Sequence, residues 1–202
     1  MITALVLAGA LAVAPLSAAE IKKALLTEKD FGKGTAVLVR DLDGGFLSMF
    51  RVDNARCMDA LKAYDAAFGG KRPTAWTIGK VAALQQVFTG NAATIKTLKA
   101  AAAKVGPACD GLEGFRGGSS FKRKKVANLG DATYAFEITF DHIPWAGQGR
   151  ETYVSEFVVV AYKSAVVVYQ GQTGKGDPTW PTTVKNAKKA VAKVKKVYAS
   201  RG

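Results

Sequence analysis

Phe157-Val158-Val159-Val160-Ala161-Tyr162-Lys163-Ser164-Ala165-Val166-Val167-Val168-Tyr169-Gln170 decides the fold. Phe157 to Tyr162 is nearly continuous apolar sequence, the pattern of a central strand covered on both faces. Lys163-Ser164 reads as the turn into an antiparallel partner, Ala165 to Gln170, and the first strand extends back to Glu151. Upstream, Tyr134, Phe136, Ile138 and Phe140 alternate with Ala135, Glu137, Thr139 and Asp141, which predicts a strand over Ala132 to His142 with one face buried. Phe121 to Leu129 supplies a further strand. It opens with Lys122-Arg123-Lys124-Lys125, and charge on both faces marks an edge.

Working outward, Thr35 to Leu42 and Phe46 to Val52 are β-rich runs around Asp43-Gly44-Gly45, a candidate hairpin. Asp53 or Asn54 can cap a helix with Cys57, Leu61, Tyr64 and Phe68 on one face, stopped by Gly69-Gly70. Arg72 to Ile78 and Val81 to Thr89 read as strands. Asn91 caps an alanine-rich helix with a stripe of Ile95, Leu98, Ala102 and Val105, which Gly106-Pro107 is expected to end. Glu20 to Thr27 is a short helix, Gly111 to Ser120 and Gly171 to Pro178 are loops, and Pro181 to Ala199 forms a last amphipathic helix around Val184, Ala187, Val191, Val194 and Tyr198. The sum is an α+β domain, a single antiparallel sheet of about six or seven strands packed by two or three helices.

Met1 to Leu16 is apolar and closed by Ser17-Ala18-Ala19, the build of a secretory signal with a cut expected before Glu20. Residues 20–202 then form one binding domain. No positive charge precedes the apolar run, so its retention as an anchor stays open. Cys57 and Cys109 are an even pair in a chain read as exported, which predicts a disulfide tying two helix ends. The chain carries 29 Lys and Arg against 16 acids, a formal charge of +13. Such a charge concentrates anionic partners at the surface. Export favours anionic wall polymer or lipid head groups, and no nucleic acid partner is expected because aromatic interleaving of the RNA-binding type is absent.

The sequence offers little catalytic machinery. His142 is the single histidine, so a triad or histidine-rich metal site would have to rest on it alone. No cofactor or metal site is expected, and no nucleophile stands in GxSxG or SxxK context. The expectation is a non-enzymatic monomer. Candidate polyanion contacts are Lys122, Arg123, Lys124, Lys125, Lys189 and Lys196, although edge lysines also block strand-to-strand pairing and helix lysines can simply be solvated. Trp145 and Trp180 stand in proline-flanked loops, either lining a cleft for a small or polymeric ligand or lying as lids over the core.

The order of these segments resembles the extracytoplasmic sensor-like domains of actinobacteria. That family forms the outer portion of PknH-type serine/threonine kinases and also occurs as free-standing secreted proteins and lipoproteins. The resemblance is carried by Ala24-Leu25-Leu26-Thr27 with Asp30, by Cys57 with Leu61, by the alanine-rich helix ending at Cys109, by Leu129-Gly130-Asp131-Ala132, and by the apolar strand and final helix. It implies an α+β binding domain of the cell envelope with a cleft and no catalytic role. Members often hold two disulfides where this chain has cysteines for one, and no lipobox cysteine closes the apolar run. On this reading, signalling would run through a separate partner. The alternatives are a cationic structural protein dwelling on wall polymer or lipid, and a small secreted enzyme.

Overall fold

A computed structural model describes residues 13–45, 47–49, 52–79, 82–113, 119–142, 151–173 and 179–201. Its centre is the strand pair read from the sequence. β6 (Glu151–Tyr162) and β7 (Ala165–Thr173) pair antiparallel, with Tyr162 opposite Ala165. Lys163 makes the turn with φ 53°, and its amide donates to the Asp131 carboxylate. Phe157 to Ala161 are all buried. Burial on both faces of a strand requires a layer on each side, and the chain supplies both.

The seven strands form one antiparallel sheet in the order β1-β2-β3-β7-β6-β5-β4. β1 is Thr35–Asp43, β2 Lys71–Gly79, β3 Ala82–Thr89, β4 Ser119–Arg123 and β5 Ala132–His142. On one face lie α3 (Ala55–Phe68) and α4 (Ala92–Cys109), whose Leu61, Tyr64, Phe68, Leu98 and Val105 pack on Phe136, Phe157, Val159 and Val166. Their caps are those expected: Asn54 accepts from the Cys57 amide at 3.0 Å and Asn91 from the Thr94 amide at 2.9 Å. On the other face α5 (Trp180–Ala199) sets Ala187, Ala190, Val191 and Val194 against Val158, Val160 and Val167. The same face is finished by α1 (Ala18–Ala24) and the short α2 (Glu28–Phe31). Gln85, buried in β3, takes the Leu26 amide at 2.6 Å and donates to the Ala24 carbonyl at 3.1 Å, which fixes the end of α1.

Three sequence expectations change. The described residues of Phe46 to Val52 do not pair with β1. Leu47–Met49 is a 3₁₀ turn, with the Leu47 and Ser48 amides donating to the Asp65 carboxylate at 2.6 and 2.7 Å, and β1 pairs instead with β2. Gly44 and Gly45 serve close approach rather than a hairpin turn, because a Cβ on either would lie 2.4 Å from the Phe68 carbonyl or 2.5 Å from that of Asp65. α4 continues through Gly106-Pro107 to Cys109, since a proline in the last turn forfeits only one bond, and the Asp110 amide still closes on Gly106 at 2.9 Å. β4 ends at Arg123 instead of running on to Leu129. The Lys124 amide bonds to the Ala135 carbonyl before the chain leaves the sheet.

Cys57 and Cys109 are joined, their Cα atoms 4.8 Å apart, linking the first turn of α3 to the end of α4 across 52 residues. Both are fully buried in the helical layer. Replacing both by alanine is expected to lower unfolding free energy by about 4 kcal/mol through the larger unfolded ensemble. Urea titration of the two proteins measures it, and a loss below about 1 kcal/mol would contradict this role.

Candidate functional site: a cationic groove between the sheet edge and the last helix

The site starts from two local facts. β4 is the last strand of the sheet, its outer side bonded by Gly111 to Glu113 and by the Asp110 carboxylate at the Arg123 amide, and the chain leaves it after Arg123. The first turn of α5 begins at Trp180 with Pro181 beside it, where a missing N–H costs nothing. Between the two runs a groove of about 450 Å³. Its walls are Lys125, Val126 and Ala127 on one side and Trp180, Pro181, Val184, Lys185 and Lys188 on the other.

The order of charge and apolar surface is set by geometry. Trp180, Val184 and Lys188 recur every four residues, so they share one stripe of α5. Trp180 and Val184 are half-buried while Lys125, Lys185 and Lys188 are exposed. The groove therefore has an aromatic and aliphatic floor with ammonium groups at its rim. Lys124 Nζ lies 5.1 Å from the centre of the Trp180 ring and donates to Glu137 at 2.6 Å. It holds the indole from the side of the sheet.

A carboxylate pair lies behind this wall. Glu137 and Glu156 stand directly opposite each other on β5 and β6. Glu156 is buried and accepts from the Thr183 hydroxyl at 2.5 Å. Burial pushes its carboxyl above the usual range; the Thr183 hydrogen bond opposes this, the charge of Glu137 adds to it, and Lys124 opposes it. Gly171 completes the seat of the helix, because a Cβ there would lie 2.2 Å from Thr183 Oγ1. Among the described residues no group of three or more His, Cys, Asp or Glu could hold a metal ion.

The structure separates the lysines that the sequence grouped. Lys124 and Lys125 join Trp180 at the groove. Lys122 is exposed opposite Glu137, and Arg123 turns to the other face, along Gly106 of α4. Lys189 donates to the Asp30 carbonyl and belongs to the contact between α5 and α2. Lys196 is exposed far down the helix, about 24 Å from Trp180 at 1.5 Å per residue. Trp145 lies outside the described residues. Lys185 and Lys188 were missed as site residues, although their spacing from Pro181 and Trp180 was the available signal.

The extracellular domain of PknH from Mycobacterium tuberculosis has a similar fold. The TM-score is 0.56 at 12% identity, over 90% of this chain and 98% of that one. No family model matches the chain, and no curated protein does. The likeness is one of architecture, an α+β domain with one antiparallel sheet, and it agrees with the family resemblance read from the segment order.

The buried carboxyl gives a signed prediction. A carboxyl whose folded pKa is raised costs stability as pH rises from the unfolded value, about 4.3, through the folded one. Glu156→Gln keeps an acceptor for Thr183 and removes that cost. The variant is expected to be more stable than the parent near neutral pH and to show no advantage below about pH 4. Urea titrations across this range check it, and parallel pH profiles for the two proteins would contradict it.

Proposed function

We propose that the protein is an exported, non-enzymatic binding module of the cell envelope, sensor-like, whose groove between Lys125 and α5 receives an anionic glycan. The observation that carries this reading is the convergence of an indole with Lys125, Lys185 and Lys188 around one depression. A sugar ring presents an apolar face that packs on an indole, and its carboxylate or phosphate groups meet the rim lysines. Extracytoplasmic placement is supported by the disulfide, which needs an oxidising compartment to persist. It is supported further by the fold shared with an extracellular domain. Among the described residues no helix is long and apolar enough to cross a membrane.

A general polyanion coat is the second reading of the charge, since exposed lysines such as Lys62, Lys104 and Lys196 also stand away from the groove. Lys189 and Lys193 of α5 are engaged with Asp30, Leu25 and Thr27, and Lys124 with Glu137. Lys125, Lys185 and Lys188 differ from the other exposed lysines in sharing one depression with the Trp180 indole.

The test is calorimetric titration with oligogalacturonate and, for comparison, an uncharged dextran oligomer of the same length. Binding of the acidic oligomer is expected to exceed that of dextran and to weaken as salt screens the lysines. Trp180→Ala should weaken it about tenfold, as for loss of a buried aromatic contact. Equal binding of both sugars, or unchanged affinity in Trp180→Ala, would remove the reading.

A further inference from the structure

The opposite end of α5, about 27 Å from Trp180 at 1.5 Å per residue, carries a second feature, independent of the groove. Residues 14–19 are built into the domain. Arg201 donates to the Ala14 carbonyl at 2.7 Å and the Pro15 carbonyl at 2.8 Å, and grips both oxygens of Glu20 at 2.7 and 2.6 Å. Ser164 Oγ donates to the same Ala14 carbonyl at 2.8 Å, and the Leu16 amide donates to Thr89 Oγ1 at 2.7 Å. Leu16 is 4% exposed and packs in the core. Ser17 and Glu20 cap α1 reciprocally. A cut before Glu20 would remove the helix cap and a core side chain, and would leave Arg201 with one of its three partners.

The chain reaches Val13 at a hollow of about 330 Å³ that Val13 shares with Ile95, Lys96, Lys99, Lys163 and Ser164. Lys163 Nζ stands 5.7 and 5.3 Å from the rings of Tyr162 and Tyr198, and Lys195 stands 5.2 Å from Tyr162. Of the carboxylates at this end, Glu20 is neutralised by Arg201, while exposed Asp131 accepts from the Lys163 amide and offsets part of the lysine charge. Tyr198 is buried and Tyr162 half-buried, so the exposed groups here are the lysines themselves. Lys163 and Lys195, with stems along Tyr162 and next to a chain whose sequence is apolar before Val13, can lay apolar stems and charged heads at a membrane interface.

We propose that this end is a lipid-facing surface. Residues 13–19 are kept in the mature protein, and Lys96, Lys99 and Lys163 lie on anionic head groups of a bilayer. The groove at Trp180 then points away from the membrane.

The full chain is sedimented with vesicles of phosphatidylcholine alone and of phosphatidylcholine mixed with phosphatidylglycerol. Binding is expected to both, and at least tenfold more strongly to the anionic ones at low salt, from the additive pull of the lysines. Lys96→Gln, Lys99→Gln and Lys163→Gln should each lower partition onto anionic vesicles about fivefold and leave the neutral vesicles unaffected. Lys62→Gln and Lys104→Gln, exposed on α3 and the far part of α4, should change neither. Intact mass of the protein recovered from an exporting bacterium should retain residues 13–19. Equal binding to the two vesicles, equal losses in Lys62→Gln and Lys104→Gln, or a mature mass beginning at Glu20 would overturn the proposal.

Discussion

The structure depends on the burial of β6 and β7 on both faces. Phe157, Val159, Val166 and Val168 need one apolar layer, and Val158, Val160 and Val167 need another. Each strand contributes to both layers because successive side chains point to opposite faces. The two layers are built differently. One is a helical hairpin locked at its ends by the Cys57–Cys109 bond. The other is a single long helix, flanked by an N-terminal strap that Arg201, Gln85 and Lys193 tie down through hydrogen bonds and ion pairs.

That difference places the candidate groove. Because one helix covers a face that is wider than a helix, α5 leaves a depression beside the sheet edge, where the chain departs after β4. Its first turn is seated by Thr183 on Glu156 and by the absence of a side chain at Gly171, which sets where Trp180 stands. Lys124 ties the same row to the indole. The seat of the helix and the wall of the groove are thus one network, so the electrostatics of a buried carboxyl bear on the proposed binding surface.

Much of this was legible in the sequence because the deciding signals were local and strongly periodic. The apolar run at Phe157 marked the double-covered strand, Asp53 or Asn54 and then Asn91 marked two helix starts, and the paired cysteines marked where the helical layer is locked. The misreadings came from residues whose role is tertiary. Gly44 and Gly45 have the composition of a turn, but what they meet is the end of α3, twenty residues on. Phe46 to Val52 has β-rich composition, yet among its described residues Leu47 to Met49 form a 3₁₀ turn whose first two amides Asp65 accepts. The site was half legible. Lys124, Lys125 and Trp180 could be named, but their meeting across the sheet edge is long-range, and Lys189 could not be told from Lys188 without knowing that Asp30 packs there.

The central claim is that the depression at Trp180 is where ligand meets the protein. The most direct measurement is mapping of ¹H–¹⁵N resonances of the full chain during titration with oligogalacturonate. The account predicts shifts concentrated at the Trp180 indole, at Lys124 to Ala127 and along the first two turns of α5, with the exposed apolar surface of β2 at Trp76 and Ile78 unchanged. Shifts centred on Trp76 and Ile78, or none at all, would contradict it.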